Sequence, residues 1–140
     1  MKNDKTDNHE QLFWEEIDRL FPDMIKAIAS LSKKSYLSIT NLRTGITWWS
    51  ERAMDYFGMK ENYTIRSMEK ANRKIHPDDV ATFKRGFKER VDGKNLDTAW
   101  EYRIQDGDSY NRFNAMARVL YDEQKQPFII IIRYDNYGIS

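Results

Sequence analysis

Apolar positions in residues 99–135 fall into three segments separated by two turn signals, the pattern of an antiparallel sheet. Trp100, Tyr102 and Ile104 alternate with Glu101, Arg103 and Gln105, which sets one face on a core and the other in water. Asp106-Gly107-Asp108-Ser109 turns the chain. Phe113, Ala115, Ala117, Val119 and Tyr121 then share a face opposite Arg112, Asn114 and Arg118, and Met116 and Leu120 interrupt the polar side, so that side is expected to be half covered. Beyond a turn over residues 122–127, Phe128-Ile129-Ile130-Ile131-Ile132 is a continuous β-branched run, the composition of a strand buried on both faces. This strand is expected at the centre of the sheet, with something other than solvent on its second face.

Helical periodicity dominates the first part of the chain. Residues 1–9 are polar and read as a flexible tail, and over residues 10–32 Trp14, Ile17, Phe21, Met24, Ile28 and Leu31 recur in steps of three and four. Pro22 removes a backbone donor inside that stripe, so the segment is either kinked or two helices. Two uses of the stripe are open: packing on its own domain, or forming the seam of a homodimer.

Residues 36–49 read as a hairpin, in which Leu37 and Ile39 alternate with Ser38 and Thr40, Arg43-Thr44-Gly45 turns, and Ile46 to Trp49 returns. Ser50 is a suitable N-cap for a short helix ended by Gly58, with Ala53, Met54 and Phe57 on one face. Residues 64–74 carry the weak stripe Ile65, Met68 and Ile75 and read as a helix. Pro77-Asp78-Asp79 opens the clearest helix: proline in the first turn needs no donor, and two acids sit where the macrodipole favours negative charge. Val80, Phe83, Phe87 and Val91 are expected to face inward and Lys84, Arg85, Lys88 and Arg90 outward, with Asp92-Gly93 as the stop. Helices packed on an antiparallel sheet make the class α+β.

Composition narrows the function. With 140 residues, 40% of them hydrophobic, and four Trp, seven Phe and eight Tyr, the chain suffices for one core and not two. Charged residues reach 32% but nearly cancel at +1, so no basic field draws in nucleic acid or an anionic membrane. The mean hydropathy of -0.82 reflects polar loops and helix faces, since aromatics are plentiful. No cysteine is present, which excludes disulfides, thiolate metal sites, a cysteine nucleophile and any flavin photochemistry that needs a thiol adduct. No apolar run approaches a membrane span and the leader is polar, so the expected location is the cytoplasm.

Three blocks then carry a resemblance: Gly45-Ile46-Thr47-Trp48-Trp49-Ser50-Glu51-Arg52 with Phe57-Gly58; Ile75-His76-Pro77-Asp78-Asp79 with Phe83; and Glu101-Tyr102-Arg103-Ile104 followed by Asp106-Gly107 and the run 117–127. In order and spacing they resemble the PAS domain, the sensory-box family, in its His-Pro-Asp-Asp type. The resemblance implies a five-stranded antiparallel sheet with a helical cover on one face over residues 36–140, preceded by the tail and helical segment of residues 1–35. It also implies a last strand between the first strand and the second-to-last, where an all-isoleucine run belongs. Two positions depart from the family's pattern: Arg112-Phe113 stands where a tryptophan is frequent, and Asp135-Asn136-Tyr137 where Asp-Ile-Thr is.

By that resemblance the chain is a non-catalytic sensory and dimerisation module of a cytoplasmic, bacterial-type signalling protein, with an output domain such as a diguanylate cyclase or histidine kinase beyond Ser140. No cofactor is expected. His76 precedes the long helix instead of lying on it, which suits a cap or a partner of Asp78 or Asp79 better than a haem ligand. The interrupted Lys84, Arg85, Lys88 and Arg90 set reads as a solvated helix face. A metabolite receptor is the alternative, with a cavity between sheet and helices lined by Ile39, Trp48, Met54, Phe57, Met68, Phe83, Phe87, Trp100, Tyr102 and Phe113, against the simpler expectation that these side chains fill their own core. Since Trp48 and Trp49 are consecutive on a strand, one at most lines such a cavity. An enzyme on a cone-shaped α+β fold would need a polar dyad among the inward residues, which offer only phenols and indoles.

Overall fold

The computed structural model describes residues 5–21, 23–65 and 73–139, with side chains from His9 onward. Its elements are α1 (Lys5–Leu20), α2 (Met24–Leu31), β1 (Tyr36–Asn41), β2 (Ile46–Trp49), α3 (Glu51–Phe57), β3 (Tyr63–Ile65), a 3-10 turn (Pro77–Asp79) running into α4 (Val80–Val91), β4 (Trp100–Asp106), β5 (Ser109–Tyr121) and β6 (Pro127–Ile139). All strands join one antiparallel sheet in the order β3-β2-β1-β6-β5-β4. The isoleucine strand is central, as its pattern requires: Ile130 pairs with Thr40 on one side and Val119 on the other.

The sheet has six strands, not the expected five. The additional strand is β3, whose Thr64 and Ile65 fall at the start of the stretch read as helical. Three residues are too few to show a period, and pairing with β2 decides their conformation. Met68 lies outside the described residues. Helix α1 begins at Lys5, inside the stretch read as a tail, and the long stripe is divided into two helices, with Asp23 at a positive φ of 68° between them. Pro22 also lies outside the described residues.

The sheet separates two cores. On one face α1 and α2 place Phe13, Ile17 and Ile25 against Leu37, Ile39, Ile46, Trp48, Tyr63, Phe128 and Ile129. On the other, α3 and α4 cover Trp100, Tyr102, Ile104, Phe113, Ala115, Ala117, Ile130 and Ile132. The second face of the central strand is therefore covered by the chain's own N-terminal helices. Most of the stripe is used there: Ile17 is fully buried, Phe21 stacks on Phe128 at 6.2 Å, Ile28 packs on the same core, and Trp14 donates from Nε1 to the Tyr63 hydroxyl at 2.7 Å. Met24 and Leu31 stay exposed, at 40% and 87%.

Polar groups fix the joints. Ser50 caps α3 by accepting from Ala53 N at 3.3 Å, also accepts from Leu37 N at 3.1 Å, and donates to the Ser35 carbonyl at 2.5 Å. Gly58 ends that helix at φ 64°, a left-handed conformation that glycine adopts without strain. The His76 imidazole accepts from Asp78 N at 3.1 Å, the capping role read from the sequence. Asp79 takes a bidentate bond from Arg103, at 2.8 Å from Nε and 2.9 Å from Nη2, tying α4 to β4. That pairing holds the Asp79 carboxyl below its ordinary range.

Arg90 corrects the reading of α4. Expected on the solvent face, it is 2% exposed: its guanidinium lies 4.1 Å over the Trp100 ring and donates to the carbonyls of Gly86 and Thr98. A planar cation accepts this site because an aromatic face and two carbonyls replace part of its hydration.

Candidate functional site

Between the sheet and its α3–α4 cover lies a cavity of about 450 Å³. Its sheet wall is made by Ser38 and Thr40 of β1, Thr47 and Trp49 of β2, Ile65 of β3, Tyr102 and Ile104 of β4, and Ile132 and Tyr134 of β6. The cover contributes Phe57, Phe83 and Phe87, while Ile75, bridged to Ile104 at the sheet edge, Leu42, Thr44 and Gly45 of the hairpin and the exposed Lys74 complete it. Size and lining are those of a small-molecule pocket: mostly apolar, with a few convergent polar groups.

Of the ten residues expected to line it, Phe57, Phe83, Phe87 and Tyr102 do. Ile39 and Trp48 do not; they point through the other face of the sheet into the core beneath α1. Trp49 takes the place expected of Trp48, with its indole N–H donated to Thr64 Oγ1 at 2.8 Å and its ring edge-on to Phe57 at 5.6 Å. Trp100 and Phe113 belong to the core under α4 but not to the cavity wall: Trp100 is held by Arg90, and Phe113 packs edge-on to Tyr36 and Tyr56. Met54 is half-buried on α3 and absent from the wall.

The residues missed are largely hydroxyls. Ser38, Thr40 and Thr47 occupy the polar positions of the hairpin's alternation, and the period of two that sends Leu37, Ile39 and Trp48 to α1 sends these three to the cavity. Thr40 and Thr47 bond each other at 2.7 Å, and Ser38 bonds the Tyr134 hydroxyl at 3.1 Å. The Tyr102 hydroxyl is fully buried, with the Tyr134 hydroxyl beside it. Burial raises both phenols, Tyr134 to about 12 and Tyr102 well above its ordinary value, so both stay protonated at neutral pH.

Other chemistry is sparse. Among the described residues no group of three or more His, Asp or Glu gathers to hold a metal ion, and no helix is long and apolar enough to cross a membrane. His76 lies against Tyr110, the ring centroids 4.7 Å apart and the planes tilted at 55°, and is not part of the cavity wall.

The architecture has relatives. It is similar to a sensory box histidine kinase/response regulator of Burkholderia thailandensis, with 16% identity and a TM-score of 0.61 over 81% of this chain and 84% of that one. It is similar also to the N-terminal domain of a diguanylate cyclase with PAS/PAC sensor from Marinobacter aquaeolei, at 15% identity and a TM-score of 0.61 over 75% and 96%. A PAS domain from Colwellia psychrerythraea gives 17% identity and 0.55 over 83% and 98%. At these identities the likeness is one of fold. No curated protein matches the chain. The sequence model of the PAS fold matches residues 46–132, more than half of the chain, from the second strand of the hairpin to the central isoleucine strand, and the chain belongs to that family.

Proposed function

We propose that this chain is a non-catalytic PAS sensory module whose cavity binds a small molecule and whose occupancy is passed to an effector domain of a cytoplasmic signalling protein. The observation that carries the reading is the 450 Å³ cavity, which remains although four large aromatic side chains, Trp49, Phe57, Phe83 and Phe87, stand around it. A core serving stability alone packs such rings to crystal-like density. Domains of this fold in a histidine kinase and in a diguanylate cyclase with a PAS/PAC sensor support an effector of that kind. Binding acts by favouring the arrangement of sheet and helices that fits the ligand, so only differential affinity moves the output.

The test is native mass spectrometry of the purified protein beside Thr47→Trp, which fills the cavity from the sheet. A small-molecule adduct on the wild type, absent from the variant and released on denaturation, is the expected result. An adduct retained by both proteins would sink the reading.

The same module is read as a homodimer. Met24 and Leu31 are the part of the N-terminal stripe that the sheet does not use, and a second copy is their proposed partner. Light scattering of the intact chain beside a Met24→Glu, Leu31→Glu double variant is expected to give a dimer and a monomer respectively; equal masses refute the contact.

A further inference from the structure

The cavity's polar groups divide between its wall and its mouth, and the division describes an occupant. In the sheet wall they are matched among themselves. Thr40 bonds Thr47 at 2.7 Å, Ser38 bonds the Tyr134 hydroxyl at 3.1 Å, the fully buried Tyr102 hydroxyl lies beside Tyr134, and the Trp49 indole N–H is donated to Thr64. The rest of the interior is the apolar surface of Phe57, Phe83, Phe87, Ile104 and Ile132. A charged head carried this far would lose its water with no group left to replace it, whereas an apolar body gains by leaving water.

The mouth differs. Of the described residues lining the cavity, Thr44, Gly45, Ile65 and Lys74 are exposed, and so mark where it opens to solvent. Lys74 is the one side chain among them charged at neutral pH, and no carboxylate among the described residues pairs with it. The Thr44 hydroxyl accepts from Ile46 N at 3.3 Å, which leaves its proton for an acceptor. Both groups suit an anion, at a place where its head keeps part of its hydration.

Resting on the reading of the cavity as a ligand site, we infer that its ligand is an amphiphile with a single carboxylate head, held at the mouth by Lys74 and Thr44, and an apolar body lying between Trp49, Phe57, Phe83 and Phe87. A cationic head would meet Lys74 as a like charge, and a neutral head would forgo the attraction. A ligand polar along its whole length would bury atoms for which the wall has no partner.

Three probes with the same ring and carbon chain separate the heads: phenylbutanoate, phenylbutanol and phenylbutylammonium. Affinities are read from amide shifts in nitrogen–proton correlation spectra of the full chain, of Lys74→Glu and of Lys74→Gln, both at an exposed position. In the wild type phenylbutanoate is expected to bind about two- to fivefold more tightly than phenylbutanol, the strength of a solvent-exposed ion pair, and phenylbutylammonium most weakly. Lys74→Glu is expected to invert the order of the two ions, Lys74→Gln to level it, and both to leave phenylbutanol unchanged. Phenylbutanol binding the wild type as tightly as phenylbutanoate, or an order of the ions that survives in either variant, overturns the head group and leaves the ligand site standing. Failure of all three probes to shift the amides of cavity residues overturns the site as well.

Discussion

Gly86→Ala sets two known magnitudes against each other at one atom. In the middle of α4 the added methyl group favours the helix, by about 1 kcal/mol on intrinsic propensity. The structure opposes it. A β-carbon at position 86 would lie 2.8 Å from Cδ1 and 2.9 Å from Nε1 of Trp100. That indole is not a loose side chain able to step aside: it is 6% exposed, with the Arg90 guanidinium 4.1 Å over its ring and Tyr102 beside it at 5.9 Å. Overpacking of this kind costs about 1–3 kcal/mol. The clash outweighs the propensity, and the expected outcome is a net loss of about 1 kcal/mol, read as a lower urea midpoint at unchanged slope and a fall of roughly 3 °C in Tm. Trp100→Phe supplies the control, since a smaller ring makes room for the methyl group and removes an indole N–H that has no partner. In that background Gly86→Ala should be neutral or stabilising, giving a favourable coupling of about 1 kcal/mol or more in a double-mutant cycle. A wild-type background stabilised by about 1 kcal/mol, with no coupling, would refute the reasoning and show that α4 is free to move away from β4.

Three further outcomes follow from single contacts. Ser50→Ala removes the cap of α3 and the acceptor of Leu37 N together, and should lower the unfolding free energy by about 2 kcal/mol in urea titration; a loss under about 0.5 would mean that water replaces both bonds. Ile129→Ala, at a fully buried position between the sheet and the N-terminal helices, should cost about 2–5 kcal/mol, whereas a surface-like value would detach α1 and α2 from the fold. Asp79 has a folded pKa depressed by Arg103, so its contribution is complete above the unfolded carboxylate pKa of about 3.9 and is lost as pH falls through the folded value. Thermal scans should show Asp79→Asn losing less stability than the wild type between neutral pH and that acid range; parallel pH curves for the two proteins would contradict the pairing.

Long periodic segments were legible in the sequence because one strong term set each of them. The isoleucine strand, the cap at Ser50 and the opening of α4 at Pro77 all lie where local chemistry put them. The side of the sheet that became the cavity was not legible in the same way. Alternation divides Ser38, Thr40 and Thr47 from Leu37, Ile39 and Trp48, yet it does not say which set meets which helices. The assignment to the apolar set fails because the N-terminal helices are apolar enough to claim it, leaving a hydroxyl-rich face for the cavity. Arg90 carried a readable signal that its charge obscured. It lies seven residues after Phe83 and three after Phe87, on the helix face that both define. The strand Tyr63–Ile65 carried no signal of its own, since pairing with β2 was decided by chain distant from it.

The consecutive indoles of β2 give the sheet the character of a lever with a very short arm. Trp48 belongs to the core that α1 packs on, and Trp49 to the wall of the cavity. On the next strand the pattern repeats, for Tyr63 is bonded to Trp14 of α1 and Thr64 to Trp49. A displacement of this edge along the sheet normal that draws one ring out of its compartment presses the other deeper into its own, because a single peptide unit joins them. The two compartments are a sheet apart in space and one residue apart in sequence.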